Sequence, residues 1–137
     1  MATISTFQSD VLLGHVQSSD LGYSFKEVSV LWDATTTGTD GAMAMGAAVY
    51  DNAGVFTWAP AANVADVVGV IVDPLAQQYD EQLVGGQEYT MVIAVRGATI
   101  AEQAFSLAGT TTGANKTAAI AAFEAAGANT VSDKLLG

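Results

Sequence analysis

Two short runs of valine and isoleucine constrain the fold of this chain more than any other feature. Residues 65–74 read ADVVGVIVDP and residues 88–97 read EYTMVIAVRG. Each run is bounded by charge, glycine or proline and is too short for a helix, so both are predicted to be β-strands that pair with each other. Alternate side chains of a strand point to opposite faces, and here both faces are apolar. In the first run the two predicted faces are Val68, Val70 and Val72 against Val67, Gly69 and Ile71.

Strands that are apolar on both faces need cover from a second sheet, a helix or another subunit. The chain contains one convincing helical pattern, so the sequence favours an oligomer in which a second subunit supplies part of that cover. The 137 residues suit one domain that buries about two-thirds of its unfolded surface. The expected fold class is mainly β, a compact sandwich or barrel-like domain with one short C-terminal helix and an extended N-terminal arm.

The charge balance argues against several classes of partner. Fourteen acidic residues against four basic ones give a net charge of −10. That is the wrong sign for a protein that binds phosphates or anionic lipid directly. The first basic residue is Lys26, and no apolar run reaches the roughly 20 residues of a membrane span, so neither a secretory signal nor a membrane segment is predicted. We expect a soluble chain that is made in the cytoplasm and, because cysteine is absent, has no thiol chemistry.

The N-terminal residues 1–22 are polar and are interrupted by serine, aspartate and glycine. This composition predicts an extended arm in front of a single domain at residues 23–137. The arm is either an unstructured tail or a strand that docks on a partner. In the second case the candidate contact residues are its scattered apolar side chains, Ile4, Phe7, Val11, Leu12 and Leu13.

The first strand of the domain is predicted at residues 23–33. Its bulky residues change from odd to even positions at Lys26 and Glu27, which predicts a β-bulge there. Large aromatic residues in this strand and a later one are either core or interface residues, and core packing is the preferred interpretation. They are Trp32, Phe56 and Trp58.

A hairpin is predicted where two short apolar runs, residues 47–50 and 55–58, flank a four-residue turn. The turn is Asp51-Asn52-Ala53-Gly54, and its last residue is a glycine, which can adopt the positive φ expected at that position. Farther along, residues 98–107 read either as another strand or as a short helical turn, and the sequence leaves both open.

One helix is predicted at residues 116–126, with Asn115 as its N-cap and Gly127 as the left-handed residue that ends it. An alanine-rich helix of this length is marginal alone, so tertiary packing must stabilise it. The apolar face that packs on the core is formed by Ile120 and Phe123. Residues 129–136 are predicted to contain an edge strand.

Two loops resemble ligand-binding motifs but lack essential residues. Residues 33–38 begin like a calcium loop, but Thr35 and Thr37 replace the carboxylate or amide ligands and Ala44 stands where a bidentate glutamate belongs. Residues 109–117 resemble a phosphate loop, yet Asn115 precedes Lys116 where glycine is needed. The second loop is better explained as a helix cap.

Other candidate catalytic groups are isolated. His15 is the only histidine, which excludes multi-histidine zinc sites and leaves a catalytic triad without a well-placed base. Asp80 and Glu81 adjoin in sequence, and a solvated loop explains them. We therefore predict no enzyme and no catalytic, metal-binding or cofactor-binding residues.

Five weak pieces of the sequence become informative through their order and spacing. They are a small-residue lead into a strand at 45–50, a hairpin at 51–56, strands at 66–73 and 92–97, and a helix at 118–127 followed by a short strand. Together they resemble the lambda-like head decoration proteins of tailed bacteriophages, a family that caps and stabilises the capsid.

The resemblance implies a β-tulip type domain, a homotrimer, and an N-terminal arm that becomes ordered by adding to a sheet edge of the major capsid protein. It implies a structural virion protein, made in the host cytoplasm, that has no direct nucleic-acid or membrane partner. Such a protein binds the outside of the expanded head at local threefold positions and stabilises the head against the pressure of packaged DNA. The threonine-rich residues 34–41 have no counterpart in the family pattern, which leaves the trimer contacts open.

Two alternatives share the β-rich, acidic character. The first is another structural or display module, of the tail-tube, fibre or adhesin type, which would assemble into polymers or hexameric rings. The second is a biotinyl or lipoyl carrier domain, which is modified on a lysine at a hairpin tip. None of the lysines, at Lys26, Lys116 and Lys134, lies in the predicted turn at 51–54, which disfavours the carrier.

Overall fold

A closed five-stranded β-barrel forms the centre of the computed structural model, which confirms the mainly β fold class. In spatial order its strands are β2 (Phe25–Leu31), β6 (Val55–Trp58), β5 (Ala48–Asn52), β7 (Val67–Ile71) and β8 (Glu88–Ala94). The structure describes residues 12–15, 25–33, 37–38, 41–74, 76, 82–109 and 112–132.

The remaining elements lie outside the barrel. A three-stranded sheet contains β1 (Leu12–His15), β9 (Ala98–Ala101) and β10 (Thr130–Ser132), and β3 (Thr37–Gly38) pairs with β4 (Gly41–Ala42). The helix α1 (Gly113–Gly127) follows the three-residue 3-10 turn Glu102–Ala104 and precedes β10. β10 is an outer strand of its sheet, as predicted for residues 129–136, of which 133–136 lie outside the described residues.

The barrel closes because β2 pairs on both sides. It runs antiparallel to β8 over seven residues, with Val28 opposite Met91, and parallel to β6, with Val30 opposite Phe56. The pairing predicted between the two valine-rich runs is confirmed, since Ile71 of β7 lies opposite Ile93 of β8. That pairing is short, and the longest partner of β8 is β2.

Two hydrophobic cores explain why the central strands are apolar on both faces. The inner core lies inside the barrel and draws on all five of its strands. The outer core lies between β7, the helix and β9. Their buried members include Val30, Trp58, Met91 and Ile93 inside, and Val70, Ile100, Phe105 and Phe123 outside. The chain itself therefore covers both faces of β7, and its burial does not require a second subunit.

The bulge predicted in the first strand is wrong in its position. β2 keeps an unbroken register with β8 past Lys26 and Glu27. The change of phase arises because Phe25 packs toward the outer core whereas Val28 belongs to the inner one.

An irregular pairing occurs instead in β7. Val49 of β5 pairs with Gly69, but the next residue of β5 pairs with Val67, so Val68 is the extra residue of a β-bulge. Val68 consequently joins the inner core together with Ile71, while Val67 and Val70 join the outer one. The faces predicted for the first half of this strand are wrong for that reason.

The predicted hairpin is confirmed, with a tighter turn than expected. Asn52 pairs with Val55, so Ala53 and Gly54 alone form the loop, with φ of 55° and 95°. Two positive φ angles are typical of the two-residue turns that match strand twist. The Asp51 carboxylate accepts a hydrogen bond from the Gly54 amide at 2.7 Å, which holds the turn.

The helix begins three residues earlier than predicted. Its N-cap is Thr112, whose hydroxyl accepts a hydrogen bond from the Asn115 amide at 3.2 Å, so the assignment of Asn115 as the cap is wrong. At the other end Ala128 carries the left-handed φ of 54°, and Gly127 is the last helical residue. A Cβ atom on Gly127 would clash with the Val95 carbonyl, so this glycine is required for close approach of two backbones.

The ambiguous residues 98–107 contain both structures that the sequence left open, the strand β9 and then the 3-10 turn. The three large aromatic residues are core residues: Trp32, Phe56 and Trp58 are all buried. The Trp58 indole donates a hydrogen bond to the Ser106 carbonyl at 3.1 Å, which ties the barrel to the chain that follows the turn.

Candidate functional site

The part of the N-terminal region that the structure describes is a strand at a sheet edge. β1 runs antiparallel to β9, with Leu12 opposite Ile100 and His15 opposite Ala98. The register shifts between Leu12 and Gly14, which indicates an irregular pairing. Because β10 occupies the other side of β9, β1 and β10 are the two outer strands of this sheet.

β9 provides a rigid base for β1. Ala98, Ile100 and Ala101 are almost fully buried, and Ile100 belongs to the outer core. Phe105 and Phe123 meet in that core with ring centroids 6.2 Å apart, a favourable distance for an aromatic pair. The outer strand β1 is thus hydrogen-bonded to a strand that the core holds in place.

Asn129 fastens the helix to the sheet. Its side chain is buried, accepts a hydrogen bond from the Ala98 amide at 3.0 Å, and donates to the carbonyls of Val95 and Phe123 at 3.1 and 2.9 Å. Val131 adds a link, because its amide donates to the Glu124 carboxylate at 3.0 Å. The end of β8, the start of β9 and the end of α1 are therefore joined at one residue.

The structure places two of the five candidate contact residues. Leu12 and Leu13 belong to β1, and Ile4, Phe7 and Val11 lie outside the described residues. Their role as contacts to a capsid remains a prediction. Sequence reasoning missed the pairing of β1 with β9, and the short sequence LLGH has no apolar-polar alternation that would have indicated it.

The described part of the chain has few features of a chemical site. Within it, no three histidine, cysteine or acidic side chains cluster as a metal site would require. In the same residues, no helix has the length and apolar character of a membrane span. The loop at 109–117 acts as the helix cap through Thr112, and the calcium-like loop at 33–38 lies partly outside the described residues.

A family of known proteins matches the chain over its whole length. The model of the family described as bacteriophage PhiTE minor capsid decoration protein matches residues 1–137. No curated protein matches, and no solved structure matches. The match agrees with the head decoration resemblance of the sequence and with a structural role on a virion. Since it spans the whole length, the chain belongs to this family of phage capsid decoration proteins.

Proposed function

We propose that the protein is a homotrimeric cement protein of the phage head. It binds the major capsid protein on the outer surface of the expanded capsid, at local threefold positions, and stabilises the shell against the pressure of packaged DNA. Residues 1–22 form the docking arm, with Ile4, Phe7, Val11, Leu12 and Leu13 as its apolar contacts.

The observation that carries this proposal is the outer strand β1, which lies in the N-terminal region of a chain from a capsid decoration family. An outer strand offers backbone donors and acceptors, and strand addition uses these groups without demanding particular side chains. This mode of binding suits residues 1–22, which are mostly polar and contain only scattered apolar side chains. Arms from several subunits would act together, because once one is bound the others bind at a high effective concentration.

Stabilisation then follows from mass action. A ligand that binds the expanded shell and not the unexpanded one favours the expanded state by an amount that grows with its concentration over its Kd. Heads saturated with the protein are expected to retain their DNA at temperatures where undecorated heads release it.

Two truncations test the arm. Deleting residues 2–20 should leave a folded, soluble protein that no longer sediments with undecorated expanded heads, at concentrations where the full chain saturates them. Deleting residues 2–11 removes Ile4, Phe7 and Val11 but keeps β1 with Leu12 and Leu13, so it should weaken binding less than the longer deletion does. The longer deletion should also lower the free energy of unfolding, since β9 loses its antiparallel partner, whereas the shorter one should not. Undiminished binding by both truncations would contradict the arm.

The trimer is tested by light scattering across a dilution series. We expect a stable species with the mass of three chains. Its support is the family resemblance, because the barrel and helix already cover both faces of the central strands. A monomer at every concentration would refute the trimer, and polymers or hexameric rings would favour a tube-type assembly.

A further inference from the structure

One end of the barrel is an open, concave mouth. At this end β2, β6 and β7 begin and β8 finishes, so the surface is formed by strand ends from around the barrel. The cavity has a volume of about 680 Å³. Its lining residues are Lys26, Asp51, Phe56, Val68, Val95, Arg96 and Ala126.

The floor of the mouth is apolar. Phe56 is buried, and Val68 and Val95 are half-buried, so each exposes some apolar surface to the cavity. All three pack with the inner core, which makes the floor a continuation of that core. The bulge of β7 is the reason that Val68 faces this way. Mouths of barrels with an apolar lining and a few polar groups are common binding sites.

The rim of the mouth has the opposite charge balance from the rest of the chain. Lys26 and Arg96 are two of only four basic residues in a chain of net charge −10. Lys26 Nζ lies 5.9 Å from the centre of the Phe56 ring, so the cation stands over the apolar floor. The one carboxylate in the lining, Asp51, accepts a hydrogen bond from the Gly54 amide. With two cations and one carboxylate, the lining favours an anionic ligand.

We propose that this barrel mouth is a second docking surface, for a short segment of the shell protein that carries a carboxylate beside an apolar side chain. The apolar side chain packs on Phe56, Val68 and Val95, and the carboxylate lies between Lys26 and Arg96. The proposal rests on the capsid-binding function above. A nucleic acid fits poorly, because its phosphates would extend beyond the two cations into the field of an acidic protein.

Charge reversal at the rim is the direct test. Lys26→Glu combined with Arg96→Glu is expected to raise the Kd for undecorated heads, measured by co-sedimentation, about tenfold or more. Each substitution replaces attraction to the shell carboxylate by repulsion. Lys116→Glu is the matched control. It makes one of the same charge changes on the first turn of α1, roughly 15 Å along the helix from Ala126, and should bind like the unaltered protein. Circular dichroism and thermal unfolding establish that each variant is folded.

Zero-length coupling of amines to carboxylates tests the chemistry of the partner with the unaltered protein. On saturated heads, a carbodiimide should join Lys26 to an aspartate or glutamate of the shell protein, identified by mass spectrometry, and should leave Lys116 uncoupled to the shell. This measurement decides the matter even if the double variant fails to fold.

The outcomes separate the two proposals. If the unaltered protein does not bind heads, both are overturned. If it binds and the double variant binds equally well, or if Lys116→Glu weakens binding as much, the barrel mouth is overturned and the capsid-binding function stands. Coupling of the shell to Lys116 and not to Lys26 would likewise overturn the mouth alone.

Discussion

Replacing Asn129 by alanine is expected to lower the free energy of unfolding by about 3 kcal/mol, a large share of the stability of a domain of this size. The buried amide group makes three hydrogen bonds to backbone atoms of Val95, Ala98 and Phe123. Alanine would leave the buried Ala98 N–H without its acceptor and would remove one donor from each of the two carbonyls. Leaving a buried polar group unsatisfied costs about 1–3 kcal/mol, and the lost volume adds a cavity.

A second substitution at the same position separates these causes. Asn129→Asp keeps the volume and the acceptor for the Ala98 amide, but its carboxylate turns an oxygen toward the carbonyls of Val95 and Phe123. We expect it to lose at least about 2 kcal/mol, because repulsion replaces two hydrogen bonds. The control is Asn63→Ala, which removes one exposed hydrogen bond to Asp66 and should cost about 0.5 kcal/mol or less.

Urea denaturation followed by tryptophan fluorescence measures these differences, since Trp32 and Trp58 lie in the inner core. If Asn129→Ala and Asn63→Ala changed the free energy of unfolding equally, Asn129 would not fasten the helix to the sheet. Capsid binding by a folded Asn129 variant should be measured below its unfolding transition. The result shows whether binding through the outer strand β1 also depends on the attachment of the helix to the sheet.

Gly46→Ala is expected to cost about 3 kcal/mol or more, from two independent causes. The φ of Gly46 is 101°, which an L-residue adopts only with strain of about 1–3 kcal/mol. A Cβ atom there would also clash with the backbone carbonyl of Ala104. The neighbouring chain cannot retreat easily, since the Gly46 amide donates to Ile71 at 2.7 Å and its carbonyl accepts from Ser106 at 3.1 Å.

The matched control for this substitution is Gly54→Ala. Gly54 has a similar φ of 95°, but a Cβ atom there meets nothing within 4 Å. It should therefore cost only the conformational strain, about 1 kcal/mol. The difference between the two variants in urea denaturation isolates the close approach of Gly46 to Ala104. Equal losses would mean that the clash relaxes without cost.

Much of the barrel was predictable from local patterns. The runs that form β7 and β8 are apolar at successive positions, so both faces of each strand are apolar, and the structure buries both faces. The hairpin at Asn52 to Val55 was predictable because aspartate, asparagine and glycine strongly favour turn conformations. Closure into a barrel was not, because it depends on β2 pairing with β8 far along the chain.

Errors arose where two residues satisfied the same local rule. Val67 and Val68 are equally apolar, so the sequence could not indicate that a bulge turns Val68 toward the inner core. Thr112 and Asn115 are both good N-cap residues, so the local sequence does not indicate which of them precedes the helix. Gly127 lies at the helix end as predicted, but the left-handed residue is Ala128, and glycine is needed at 127 for the tertiary contact with Val95.

The candidate site was less predictable than the fold. Leu12 and Leu13 were recognised as apolar residues of an arm, but their strand pairs with β9, more than 80 residues later. Asn129 is an unremarkable polar residue after a helix, and its partners at Val95 and Ala98 lie over 30 residues away. The barrel mouth combines Lys26 with Arg96 across the β2–β8 pair, and a single sequence does not indicate that proximity.

The seven-residue pairing of β2 with β8 also has a consequence for synthesis of the chain. Val28 and Val30 leave the ribosome long before Met91 and Tyr89, their partners on β8. Contacts between residues so far apart in sequence form late, because the closure entropy of a long loop must be overcome first. The nascent chain therefore contains four of the five barrel strands before β8 is made, and the barrel can close only when β8, its last strand, has been synthesised.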